Sequence, residues 1–226
     1  MRIWAIGDVH GCLKALETLL TELALQPEDQ LIFLGDLIDR GPDTRGVIER
    51  VLQLRQERTV HVIKGNHEEM LLIARDLPGY AHAWQQFGGK EALASYGWTR
   101  GAEPGWIDAI PKAHWDFIKN DMVDAVEEAG HVMVHGGIDS ELPLKRQRWD
   151  EMRWKRWDEP KPHVSGTIMV CGHTHQPSGK PITVGHAICI DTWAYGKGWL
   201  TALDIGSHEY VQANQEGEVR RDRLEN

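Results

Sequence analysis

Through residue 77 the chain alternates apolar runs of strand length with segments of helical periodicity, and that alternation restricts the fold more than any other feature. "RIWAIGDVHG" is a short apolar run closing on Gly7, and "CLKALETLLTEL" then sets Leu13, Leu16, Leu20 and Leu23 on one helical face. "QLIFLGD" is a second run, followed by "PDTRGVIERVLQL", a helix with Asp43 as its expected N-cap. "TVHVIKGN" is the third run and "EEMLLIARDL" the next helix. Repeats of this kind predict parallel strands joined by right-handed crossovers.

The texture then changes. Residues 78 to 120 are rich in Gly, Pro and Trp, with short helical pieces such as "KEALASYG" and "PKAHWDFIKN". Strand patterns return from about residue 121 in "MVDAVEEA", "HVMVHGG", "TIMVCGH", "HAICIDTW", "GWLTALDI" and "EYVQANQ", several of them patterned as hairpin-linked antiparallel pairs. The polar ending "EGEVRRDRLEN" reads as a frayed or edge segment. The expectation is one α/β domain over residues 1–226, a two-layer mixed β-sandwich core flanked by helices, with a Trp-rich helical insert at about 78–120.

Composition narrows the function. A chain of 226 residues can bury a substantial core, and a net charge of -9 disfavours a nucleic-acid partner, because phosphate backbones are held by basic patches. Cys12, Cys171 and Cys189 form no CxxC pair, which reads as reduced thiols and a cytoplasmic protein. No stretch approaches the eighteen or so apolar residues of a spanning helix, so no membrane partner is expected. Arg2 is followed at once by strand-like "IWAIG", and no leader segment is expected.

Chemistry gathers at the strand ends. The first run delivers Asp8 and His10, the second Asp36, Asp39 and Arg40, and the third Asn66 and His67. A later run delivers His135, and another His173 and His175. In open α/β sheets ligands collect at the carboxyl ends of strands, so these groups are expected to converge. Residues i and i+2 of a strand point the same way, which would let Asp8 and His10 share one cation, and His173 and His175 likewise. Asp36 has two carboxylate oxygens and could bridge two cations roughly 3.5–4 Å apart. Oxygen and imidazole donors without thiolate favour manganese, iron or zinc. Glu69, and in part Glu68, is expected to complement the dipole of the following helix.

These motifs, "GDVHG", "GDLIDRG", "GNHE", "HGG" and a final "GH", resemble in kind and order those of the phosphoprotein phosphatase branch of the calcineurin-like metallophosphoesterases. The resemblance implies that fold and a pair of divalent metal ions, manganese first among the candidates. Asp8 and His10 would hold one metal, Asp36 would bridge, and Asn66, His135 and His173 would hold the other. Arg40 would grip the substrate phosphate with Asn66 near it, and His67, oriented by Asp39, would protonate the leaving oxygen. A second phosphate-binding arginine in a Trp-x-Arg pattern matches Arg156 in "RWKRW", with Arg153 close by. Unlike many members of that branch, the chain has "GHTH", so His175 is a candidate additional ligand of the first metal. The implied reaction is direct hydrolysis of a phosphate monoester by metal-activated water, on a phosphorylated protein or a small phosphoester. A serine/threonine (or tyrosine) protein phosphatase is the first expectation, helped by "FGGKEALASYG". A diadenosine tetraphosphate hydrolase is the alternative, and a non-catalytic metal-binding scaffold is a distant third.

Overall fold

The computed structural model describes residues 1–225. Its strands are β1 (Ile3–Ile6), β2 (Gln30–Phe33), β3 (Val60–Val62), β4 (Ala125–Glu128), β5 (His131–Val134) and β6 (Ile168–Cys171). They continue with β7 (Ile182–Thr183), β8 (Ala187–Cys189), β9 (Leu200–Asp204), β10 (Glu209–Ala213) and β11 (Val219–Arg223). Six strands form one sheet in the order β11-β10-β9-β1-β2-β3, and five form a second in the order β4-β5-β6-β8-β7. The long helices are α1 (Leu13–Glu22), α2 (Thr44–Glu57) and α3 (Asn66–Asp76).

Strand alternation builds three apolar layers. On β1, Ile3 and Ala5 face inward with Ile32, Leu34, Met133, Val170 and Ile188, filling the space between the sheets. Trp4 and Ile6 point the other way, onto Leu16, Leu19, Val47 and Val51 of α1 and α2. On the second sheet, Val132, Val134, Met169 and Cys171 face a third cluster with Met152. Each fully buried leucine such as Leu16 is worth about 1.5–3 kcal/mol over its exposed state. Because both faces of β1 and β2 are covered, their sequences run apolar without alternation, as parallel strands do.

The expected parallel start is present: β1 pairs with β2, and β2 with β3, all parallel. Asp43 caps α2, accepting from Gly46 N at 2.8 Å. Hairpins join β9, β10 and β11, with β11 at the sheet edge. The second half differs from the hairpin expectation in one respect. β5, β6 and β8 are mutually parallel, because long connections, including residues 135–167, carry the chain back between them. Residues 78–121 form a set of short helices, with Trp84, Trp106 and Trp115 buried in the core shared with α1 and α2. No helix among the described residues is long and apolar enough to cross a membrane.

Candidate metal centre

The parallel strands aim their exits at one place. Loops after β1, β2 and β3 leave the same end of the first sheet, and those after β5, β6 and β8 leave the same end of the second. Backbone bonds then tie the loops together. Val9 N and His10 N both donate to Asp36 O, at 3.2 and 2.8 Å, and Gly172 N donates to His135 O at 2.8 Å. Between the sheets, His173 N donates to the Asp8 carboxylate at 3.1 Å. Gly172 is required here, since a Cβ at that position would overlap the Asp8 carboxylate.

Asp36 is the hub. Its Oδ2 lies 3.4 Å from His135 Nε2, 3.5 Å from His10 Nε2 and 3.9 Å from His67 Nε2. Two sets of donor atoms, His10–Asp36–His67 and Asp36–His135–His173, each fall within 4.8 Å of one another. Asn66 Oδ1 is 2.9 Å from both His135 Nε2 and His173 Nδ1. The other ring nitrogen of several imidazoles is already engaged: His10 Nδ1 with Ile38 O at 2.8 Å, and His135 Nδ1 with Leu34 O at 2.9 Å. Donation from Nδ1 to a carbonyl leaves each Nε2 a lone pair that a cation can take, the arrangement that outer partners of metal-bound histidines impose; at His10 the Arg40 guanidinium meets it at 2.9 Å.

The charges of the pocket fit divalent cations. Asp8, Asp36 and Asp191 are at most 2 % exposed, and three carboxylates so deeply buried need compensation. Burial, and then the charges of Asp191 and Asp36, push Asp8 well above the usual carboxylate range. Burial and the Asp36 charge bring Asp191 up to about 6. Asp36 goes the other way: burial opposes ionisation, but the His135 and His67 imidazoles outweigh it and hold the carboxyl well below its ordinary value. Burial keeps the His10 imidazole neutral far below its usual range, and with help from His135 it brings His173 down to about 4. Metal binding needs anionic oxygens and neutral imidazoles. Asp36, His10 and His173 lean to those forms, whereas at His135 the Asp36 charge outweighs burial and raises the imidazole, so a cation would displace protons from His135 and Asp8.

His67 has a second connection. Its Nδ1 is 2.7 Å from Asp39 Oδ2, which also accepts from Trp84 Nε1 at 2.9 Å. Asp39 Oδ1 is buried without a partner. Burial alone would lower the His67 pKa, but the Asp36 and Asp39 carboxylates raise it above its ordinary value. His67 can therefore carry a proton beside the carboxylate hub.

The alternation argument for paired ligands is corrected by the backbone. Asp8 and His10 lie beyond the end of β1, and His10 and His173 have φ of 46° and 63° in the left-handed region, so the period-two rule does not apply to them. Asp8 lies outside the two gathered donor sets, beside Asp191 and the His173 amide. His175 also lies outside them, its ring tilted against Trp193 at 5.5 Å. Asn66 and His67 sit on the first turn of α3 rather than on a strand end. The helix begins there because Glu68, at the third position, reaches back to Gly65 N at 2.9 Å.

Glu68 and Glu69 do more than complement a dipole. The buried Glu68 carboxylate also accepts from Asp36 N at 3.0 Å and Leu37 N at 2.8 Å, locking the hub's backbone. Glu69 accepts from Trp154 Nε1 at 2.7 Å. Trp154 is 43 % exposed, with its ring 6.4 Å from that of His173. The two candidate arginines differ in their partners. Arg153 is engaged by Asp124 at 2.5 Å and lies over the Trp149 ring, whereas Arg156 is exposed. Arg40 stacks on Tyr195 at 4.5 Å and bonds His10 Nε2 at 2.9 Å. Asp191 and Tyr195 escaped the reading of the sequence, although Asp191 follows an apolar strand just as Asp8 and Asp36 do.

Residues 1–198 match the family model of the calcineurin-like phosphoesterases. The chain belongs to this family. Its members are dinuclear metal-dependent phosphoesterases, the class to which the gathered donors correspond. Among curated relatives, the chain is 29% identical over 245 residues to bis(5'-nucleosyl)-tetraphosphatase PrpE [asymmetrical] of Oceanobacillus iheyensis, covering 93% of this chain and 91% of that protein. It is 45% identical to serine/threonine-protein phosphatase 1 of Salmonella typhimurium, but over only 74 residues, 32% of each chain. Among solved structures, one provisionally described as a diadenosine tetraphosphatase superposes with a TM-score of 0.66 at 21% identity, covering 100% of this chain and 94% of the other. At that identity the likeness shows the fold alone.

Proposed function

We propose that this chain is a metal-dependent phosphoric ester hydrolase whose preferred substrate is a dinucleoside polyphosphate. The observation that carries the substrate class is Trp154. Its indole N–H is pinned by the Glu69 carboxylate at 2.7 Å, and its ring remains 43 % exposed beside His173. An aromatic face fixed in water at the rim of a phosphate site is what a nucleoside base stacks on, and a phosphoserine side chain gains nothing from it. The relative that matches along nearly the whole chain bears a dinucleotide hydrolase name, which supports the same reading.

Asp8, His10 and Asp36 would hold one divalent ion, and Asp36, Asn66, His135 and His173 the other. Manganese is the proposed metal, because the donors are oxygen and imidazole without thiolate. When bound, such ions neutralise phosphoryl oxygens and lower the pKa of water to near neutrality. Arg40 and Arg156 bind the equatorial phosphate oxygens through charge-assisted hydrogen bonds. Tyr195, stacked on Arg40 at 4.5 Å, fixes the plane of that guanidinium. His67 gives its Nε2 proton to the leaving oxygen while Asp39, on Nδ1, stabilises the imidazolium. His175 is assigned no metal, since its ring turns onto Trp193. The three buried free cysteines support a cytoplasmic location.

A second reading, a serine/threonine protein phosphatase, is favoured by the 45% identity to the Salmonella enzyme over 74 residues. One panel with manganese separates the two: diadenosine tetraphosphate, a phosphoserine peptide, a phosphotyrosine peptide and p-nitrophenyl phosphate. The dinucleotide is expected to show the highest kcat/KM. A phosphopeptide turned over at least tenfold more efficiently would replace the first reading with the second.

A further inference from the structure

A cavity of about 330 Å³ lies between the turn Gly136–Gly137, directly after His135, and the segment running from Lys155 to Lys161. That volume is within the range of small-ligand sites. Two links join it to the metal centre. Gly136 of one wall directly follows His135 in the chain. Trp157, another wall residue, donates its backbone N–H at 2.8 Å to the Thr174 hydroxyl, one residue beyond His173. A Cβ at Gly136 would stand 2.9 Å from Lys155 O, and one at Gly137 3.2 Å from the Lys155 side chain, so the two walls meet this closely only because both positions are glycine.

The wall chemistry discriminates among occupants. Ile138 and Met169 are buried and apolar, and the half-buried Trp157 completes a surface for a planar group. Asp139, Glu141, Glu151, Asp158 and Glu159 add carboxylates, an acidic wall that accepts from amino and hydroxyl groups and repels a second anion. Lys155 is not free to bind phosphate, since its Nζ is held by Ile138 O at 2.9 Å and lies 3.3 Å from Glu151. Cationic capacity is left to Arg156 and Lys161. The arrangement suits a molecule with one phosphate at the Arg156 end and a neutral planar, hydrogen-bonding body inside.

We infer that this cavity is a nucleoside subsite, with Trp157 and Met169 flanking the base, Lys161 meeting the nucleoside's own phosphate and Arg156, in the same wall, on the adjoining reacting phosphate. The inference rests on the dinucleotide reading above and deepens it by naming specificity-determining residues. Trp157 touches substrate away from the reacting atoms, so its substitution acts on KM rather than on chemistry.

The test uses the manganese-loaded full chain as wild type, Trp157→Ala, Trp157→Phe and Lys161→Gln. In Trp157→Ala the ratio of kcat/KM for diadenosine tetraphosphate to that for p-nitrophenyl phosphate is expected to fall about tenfold, through KM. Inhibition by adenosine 5'-monophosphate should weaken by a similar factor relative to inhibition by inorganic phosphate. Trp157→Phe should restore most of both, and Lys161→Gln, on an exposed side chain, provides the check should Trp157→Ala fold poorly: it should weaken monophosphate inhibition two- to fivefold. Unchanged ratios in Trp157→Ala and Lys161→Gln overturn the subsite, and so does a loss confined to phosphopeptide substrates. A wild-type protein that cleaves no dinucleotide refutes the preceding section instead, while the monophosphate-to-phosphate comparison still judges the cavity.

Discussion

Asp39→Asn isolates the proposed proton donor. In the native chain Asp39 Oδ2 receives both His67 Nδ1 at 2.7 Å and Trp84 Nε1 at 2.9 Å, while Oδ1 is buried without a partner. An asparagine oxygen at the Oδ2 position keeps both contacts and removes the charge. The imidazolium then keeps a neutral hydrogen bond in place of a charge-assisted one, a difference of about 1–1.5 kcal/mol, and at about 1.4 kcal/mol per decade this is roughly a 5- to 12-fold effect wherever that proton is needed. Nitrophenolate departs without help, but the alkoxide of phosphoserine does not. Turnover of a phosphoserine peptide should therefore fall by that factor, and turnover of p-nitrophenyl phosphate by less than about threefold. The sign with pH follows: Asp39 raises the His67 pKa, so its loss lowers that pKa, and the alkaline limb for the peptide moves to lower pH. The urea midpoint should change little on this account, since the new NH₂ replaces an oxygen that already lacks a partner. Equal slowing of both substrates, or loss of metal from the variant, would refute the acid assignment.

Asp36→Asn removes the only carboxylate shared by both donor sets, so metal content after dialysis and activity should fall together; full occupancy with near-native activity would end its bridging role. Arg156→Ala should leave metal content intact but weaken phosphate inhibition by about 10- to 150-fold, for a lost bond of about 1.5–3 kcal/mol. Arg153→Ala should instead lower stability with little change in phosphate affinity, because Arg153 is bound to Asp124. Glu68→Gln offers one oxygen where three backbone amides now converge on two, and calorimetry should show about 1–3 kcal/mol less stability. Manganese at a hundred times its Kd should stabilise the protein by about 2.7 kcal/mol per site, visible as a rise in Tm that chelator reverses.

The parallel first half was legible because an apolar run followed by helical periodicity leaves little choice of topology. His10, Asp36, His135 and His173, which the structure gathers, were legible because each follows such a run, whereas Asp8 lies outside the gathered donors and Asn66 opens a helix. Their detailed arrangement was not. Local alternation failed for His10 and His173, since a left-handed φ at either residue redirects the chain and nothing in the residue type announces it. Glu68 and Glu69 lie on a helix turn where acids are ordinary, so their long-range partners, Asp36 and Leu37 for one and Trp154 for the other, were invisible in a linear reading. The parallel pairing of β5, β6 and β8 depends on connections whose path no periodicity encodes.

Backbone conformation argues that the centre is shaped before any cation arrives. Of the ten non-glycine residues with positive φ among the described residues, five are His10, Asp36, Asp39, Arg40 and His173. At roughly 1–3 kcal/mol each, conformations of this kind together cost about as much as the net stability of a typical domain, so the surrounding structure must impose them. The means are visible. Asp36 O accepts from two amides of the first loop, Gly11 N donates to Leu37 O at 2.9 Å, and Glu68 fixes the amides of Asp36 and Leu37 from the opposite side. Buried Ile6, Phe33 and Leu37 anchor the same loops in the apolar layers. A carboxylate hub held this way cannot relax to separate its charges, which leaves cation binding as the way to relieve them. The strain thus keeps the anionic oxygens where a phosphate ester's counter-charges are needed.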